Sequence, residues 1–310
     1  MSNWFIIALI APLLWSIVSH IDKYMLSKYL KDRGVGALLI FSALSSIIIL
    51  PLIAYFHHSE IFSISGIDLI ILLFAGFLSA GAFYFYLMGM EMEEASIIIP
   101  LFQLIPIFGY FLGYFILSES LNAFQILSAL IIMLGIAMIS IEIDEENKLT
   151  LKTRVLVLIA VSSFLFALHD TLFKKVAIIE SFWVSVFWQY LSLTIFGLLI
   201  LLFVKKFRKE FLEMFFHDMG KKVLFVNFSS EILYILGNLA NSFATLLAPL
   251  AIVLVVSSYQ PLFVFIGGIL LTKFLPHIST EKISRKHFYH KLISILIIII
   301  GSYFLYTTSH

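Results

Sequence analysis

Ten long apolar stretches alternate with short polar breaks along the chain, at about 4–24, 36–56, 67–88, 97–117, 121–141, 155–173, 182–204, 223–243, 249–271 and 292–306. About 20 mostly apolar residues cross the hydrocarbon of a bilayer as a helix, and unsatisfied backbone is not tolerated there. The pattern therefore predicts an all-α polytopic membrane protein with ten transmembrane helices. The break at 88–96 carries Glu91, Glu93 and Glu94, and the break at 118–122 has room only for a tight turn between antiparallel helices. The longest breaks, 205–222 and 273–291, remain rich in Phe and are expected to lie on the membrane surface.

Composition agrees with lipid as the solvent. Of 310 residues, 61% are hydrophobic and 13% charged, whereas a soluble domain of this size needs about a quarter charged residues to cover its surface. A net charge of +1 suggests no nucleic-acid partner. With no cysteine there is no disulfide framework, thiolate chemistry or Cys-ligated metal. The first apolar run has no basic residue before it and no small-residue cleavage site after it, so a first membrane helix is expected rather than a signal peptide.

Orientation follows from where the basic residues fall. The odd-numbered breaks hold 18 of the 20 Lys and Arg, and the even-numbered ones only Lys174 and Lys175. Basic residues near helix ends stay cytoplasmic, so both termini are expected outside the cytoplasmic membrane.

The chain also repeats itself. Leu9-Ile10-Ala11 precedes His20 at the spacing with which Leu158-Ile159-Ala160 precedes His169. Leu104-Ile105-Pro106 resembles Tyr259-Gln260-Pro261, and Gln125 stands as far from Gly135 as Lys291 does from Gly301. Five helices per unit is an odd number, so the second unit enters from the opposite side, which makes an inverted repeat around a central site. The units are expected at 1–142 and 155–310, joined by a linker at 143–154. Trp15-Ser16 with the polar cluster after it, the run Ala95-Ser96-Ile97-Ile98-Ile99-Pro100-Leu101, Glu119 with Gln125 and Gly135, and Gln260-Pro261-Leu262 together resemble the EamA family of the drug/metabolite transporter superfamily. The resemblance implies a carrier of small metabolites, amino acids, sugars or drugs, usually an exporter. Two departures stand out: family members commonly keep both termini in the cytoplasm, and Phe274 stands near where the first unit has Glu119.

Polar groups at membrane depth are costly and line cavities or proton paths. His20, Asp22 and Lys23 sit at one end of the first span, and His169 and Asp170 at the matching end of the sixth. A His beside an Asp changes charge near neutral pH, as proton coupling needs, while the same residues at an interface cap helices and snorkel. Glu231 lies mid-span, with Asn227, Asn238 and Asn241 roughly on its helical face. It must be proton-bound or paired, with Asn227, Ser230, Lys174 or His169 as candidate partners. Substrate or proton contact is one role; an interhelical hydrogen bond is the other. Gln103, Gln189 and Gln260 offer amides that both donate and accept. Pro261 frees a carbonyl near Ser257, and such interruptions either form binding sites or merely kink the helix. Trp15, Trp183, Trp188, Tyr84 and Tyr86 stack on a ligand or anchor the interface, and the pairs Gly109/Gly113 and Gly76/Ala80 are packing faces.

The sequence holds no metalloprotease spacing, nucleophile elbow or phosphate-binding loop, so no enzyme, cofactor or metal site is expected, and nucleotide-driven pumping is excluded. His57-His58 and His287 with His290 fall in breaks as solvated residues. The sequence thus points to a secondary carrier moving a small-molecule substrate by alternating access, as a monomer or homodimer in the lipid bilayer. The competing readings are a flippase for a lipid or lipid-linked sugar, and a non-transporting membrane scaffold.

Overall fold

The computed structural model describes residues 4–28, 35–92, 101–140, 153–213, 221–274 and 285–308, which are all-helical, without strands. The helices are α1 (Trp4–Lys28), α2 (Val35–Ser45), α3 (Leu50–Ile61), α4 (Gly66–Met92), α5 (Leu104–Leu117), α6 (Ala123–Ser140), α7 (Thr153–Ala177), α8 (Phe182–Phe203), α9 (Lys205–Glu213), α10 (Lys221–Leu247), α11 (Leu250–Ser257), α12 (Gln260–Phe274) and α13 (Arg285–Thr308). By length and composition five of these segments cross a membrane outright, α11 and α12 counting as one broken span. The pair α2 and α3, bent by 48° across the 3-10 turn Ser46–Ile48, adds a sixth. The apolar parts of α5, α6 and α13 are shorter.

Two elements of the hydrophobic pattern resolve differently from single straight spans. The second apolar stretch bends where Pro51 removes a backbone donor in the first turn of α3. The ninth breaks at Ser258–Tyr259, just before Pro261. A turn at Phe102–Gln103 opens α5 in the corresponding place, three residues before Pro106. The break after residue 204, expected on the membrane surface, holds α9, which has no buried residue and whose Phe207 ring fills the space above Gly36, where a β-carbon would lie 2.2 Å from the ring.

Long pairings organise the bundle. α1 runs along α10, α4 along α7, and α6 along α13. In the last pair the glycines are reciprocal: a β-carbon at Gly135 would lie 2.7 Å from Ile298 Cγ1, and one at Gly301 would lie 2.8 Å from Ile132 Cγ1. Small residues let backbones approach, which is how helices associate when lipid offers no hydrophobic drive. One apolar core joins α1, α6, α11 and α13 through Trp4, Ile132, Ile136, Val253, Ile298 and Leu305. A second joins α3, α4, α7, α8 and α10 around Ile53, Leu72, Phe173, Tyr190 and Ile235. Outward faces carry large apolar groups, among them Tyr55, Phe115 and Phe203, as lipid contact requires.

The short turns gather at one end of the bundle. Glu180 accepts from the Ser65 N–H, Trp188 Nε1 donates to the Ile61 carbonyl at 2.8 Å, and Glu119 meets both Lys174 and Leu250. Gln125 donates to the Thr308 carbonyl, and Phe5 packs on Tyr306, so both described termini lie at this short-turn end. The opposite end, where α9 lies and α7 and α10 begin with Arg154, Lys221 and Lys222, is the basic end.

Candidate functional site

Glu231 stands on the inner face of α10 and accepts a hydrogen bond from Ser42 Oγ of α2 at 3.3 Å. Tyr190 of α8, 4% exposed, turns its hydroxyl toward Glu231, Tyr234 and Asn238 without a hydrogen bond of good geometry. The Trp15 ring of α1 lies 6.5 Å from that of Tyr234, and its indole Nε1 presses on Gly237, where a β-carbon would be 2.6 Å away. Trp15 Nε1 and Asn227 Nδ2 are buried donors without a partner. Four elements thus bring a carboxylate, two phenols, an indole and two amides together inside the helical bundle. The spacing along α10 explains why: Asn227, Glu231, Tyr234 and Asn238 recur at three and four residues and so share one face of the helix.

The sequence candidates divide among three places. Asn227, Glu231 and Asn238 belong to this cluster. Gln260 opens α12 and donates to Ser19 Oγ at 2.8 Å and to the Trp15 carbonyl at 3.3 Å. One turn on, His20 Nε2 meets the Val264 carbonyl at 3.0 Å, and Gly267 leaves the space for that ring. The break in the ninth span therefore sits against α1, and just before it Ser257 Oγ donates to Asn241 Oδ1 of α10. His169 lies elsewhere, between α4 and α8, with Nδ1 2.9 Å from the Ala75 carbonyl and Nε2 3.0 Å from the Gln189 amide nitrogen. A ring donating at Nδ1 and accepting at Nε2 is neutral, so this arrangement suits a cross-link. Asp170 Oδ1 is 3.8 Å from the same ring. Gln103, in the turn before α5, has a buried Oε1 without a partner. The side chains of Asp22 and Lys23 lie outside the described residues, as do those of His287 and His290.

Two expectations change. His20 and His169, expected to approach one central plane from pseudo-symmetric helices, engage different neighbours, α12 for one and α4 with α8 for the other. Lys174 does not serve Glu231. Its Nζ is 2.5 Å from Glu119 Oε1 and donates to the Ala248 carbonyl at 2.7 Å. Ser42 and Tyr190, the groups facing Glu231, carried no sequence signal, being single hydroxyls in apolar helices. His57, expected as solvated, stacks on Trp183 with ring centres 5.8 Å apart and lies 3.4 Å from Glu60. Among the described residues no group of three or more His, Asp or Glu is placed to hold a metal.

Residues 2–141 match the EamA-like transporter family. No curated protein matches the chain. One crystal structure of a protein aligns with a TM-score of 0.70 at 12% identity, covering 100% of this chain and 98% of that chain, a likeness of fold alone. The matched stretch, somewhat under half of the chain, holds the first five apolar segments, the Trp15-Ser16 pair and Glu119; its likeness to EamA-like transporters places this multi-pass membrane protein in the drug/metabolite transporter superfamily.

Proposed function

We propose that the chain is a secondary carrier that moves a small polar metabolite across the cytoplasmic membrane by alternating access, with its solute or proton site at Glu231. The observation that carries this is the Glu231, Ser42, Tyr190, Tyr234 and Trp15 cluster. A carboxylate and unpaired donors at membrane depth are costly to keep unless a ligand, ion or water meets them. Ten spans in two inverted five-helix units form the frame. Three features support it: α1 on α10 mirrors α7 on α4, the turns at 102–103 and 258–259 recur at matching places, and Gly135 and Gly301 are reciprocal. Breaks of this kind free backbone groups beside a midplane site.

The charge asymmetry supports both termini lying outside, because Lys174, one of two exceptions to it, is buried in an ion pair. A cytoplasm-active reporter fused after His310 should stay silent; a strong signal would reverse the orientation. For the site, purified protein in proteoliposomes is given amino acids, sugars and nucleosides, and the solute that accumulates is followed with Glu231→Gln. That variant keeps shape and hydrogen bonding and removes titration. Uptake is expected to lose its pH dependence while exchange persists. Unchanged pH-dependent uptake would remove Glu231 from the mechanism.

A further inference from the structure

The short-turn end is fastened by one ion pair that reaches four elements. Ser118 ends α5 in the left-handed region, φ 58°, and the N–H groups of Ser118 and Glu119 return to the Gly113 carbonyl. This turn aims Glu119 inward over Gly113, where a β-carbon would lie 3.2 Å from Oε2. Oε2 accepts from the Leu250 N–H, the first donor of α11, at 2.7 Å, while Oε1 meets Lys174 Nζ at 2.5 Å. Lys174 lies in the last turn of α7 and donates onward to the Ala248 carbonyl. The side chains are 18% and 5% exposed. One carboxylate and one ammonium thereby tie the ends of α5 and α7 to the junction between α10 and α11.

Among the described residues the other end has no buried ion pair of this kind. The offset between Pro106 and Pro261 sets Phe274 opposite Glu119, and the offset between His20 and His169 sets Met25 opposite Lys174. Phe274 is 68% exposed. A dry ion pair holds strongly, yet when its surroundings fill with water both charges regain hydration that offsets the lost attraction. Such a pair is releasable in a way that apolar packing is not.

We propose that Glu119 and Lys174 form a latch that keeps the short-turn end closed and sets the resting carrier open toward the basic end. This rests on the alternating-access reading above. The chain has no native cysteine, so Ser42→Cys gives one reactive thiol beside Glu231. In vesicles of determined orientation a membrane-impermeant methanethiosulfonate is applied to each face. The single-cysteine protein should react faster from the basic end. Glu119→Gln keeps the acceptor for Leu250 and removes the charge. It should shift the ratio of rates toward the short-turn end by about tenfold, and Lys174→Gln should shift it likewise. A ratio unmoved by both variants overturns the latch and leaves the carrier reading standing. No reaction from either face defeats the carrier reading itself. Should both variants aggregate, the single-cysteine protein still decides, because faster labelling from the short-turn end overturns the proposal.

Discussion

The seam between α4 and α7 and the seam between α1 and α10 are the two longest crossings around the site, and they are built in opposite ways. In the first, polar side chains end on backbone: Ser162 on the Ala82 carbonyl, His169 on Ala75 and, from α8, Ser192 on Leu73. Gly76 brings α4 so near α8 that a β-carbon would sit 2.5 Å from Ser192 Cβ and 2.8 Å from the Gln189 carbonyl. In the second, α1 meets α10 through an aromatic face, Trp15 on Gly237 and Tyr234, and the polar stripe of α10 turns instead to Ser42, Tyr190 and Ser257. A side chain that bonds a backbone carbonyl fixes helix register. Side chains that face each other exchange partners by rotating. The first seam is suited to hold a frame, and the second to admit a solute.

Four substitutions test that contrast, from the largest expected effect to the smallest. Gly76→Leu drives several carbons into the backbone of α8 and should cost more than about 3 kcal/mol, seen as loss of monodisperse protein in detergent. A folded, stable Gly76→Leu protein would mean that α4 and α8 are not locked. His169→Leu strands the Ala75 carbonyl and the Gln189 amide in a buried place, an expected cost of about 1–3 kcal/mol. His20→Leu, at a half-buried ring, should cost about 1 kcal/mol or less. Melting temperatures of the two variants set the bond of α7 to α4 and α8 against that of α1 to α12, and equal losses would mean that both rings fix their helices alike. Tyr190→Phe removes a hydroxyl that makes no hydrogen bond of good geometry, so stability should stay within about 1 kcal/mol of the parent while solute KM rises. A large loss of stability with unchanged KM would make Tyr190 part of the frame. Gly81→Ala is the control. A β-carbon there meets only Leu165 Cδ1 at 3.7 Å, so better helix propensity should raise stability by up to about 1 kcal/mol.

The all-helical class and five of the spans, six with the bent pair, were legible in the sequence because lipid imposes a length rule that an apolar run satisfies or does not. The stretch at 182–204 becomes α8 at Phe182–Phe203, and the packing glycines Gly76, Gly109 and Gly113 lie at close approaches to α8, to α11 and to the Glu119 side chain. The 48° bend between α2 and α3 was not legible, since hydropathy is blind to a change of axis inside a continuous apolar run. The site was half legible. Glu231 and the asparagines declared themselves by their polarity in an apolar span. Their partners did not, because Ser42 lies 189 residues away and a hydroxyl in a membrane helix more often bonds its own backbone, as Ser128 does with Phe124. Lys174 was visible as an exception to the charge rule. Glu119 was visible as the end of a helix, but their meeting depends on the left-handed turn at Ser118, a conformation that a serine does not announce.

The packing of α1 on α10 also bears on how the protein is made. A chain leaving the ribosome exposes α1 nearly two hundred residues before α10 exists, and it exposes α2 well before α9 brings the Phe207 ring to Gly36. During that interval the insertion machinery must hold early helices whose long-term neighbours have not been translated. A product truncated between α6 and α7 would keep α1 without α10 and α4 without α7, with Ser16 and Trp15 facing acyl chains. Such a fragment would lack the partners of two of its longest helix pairings.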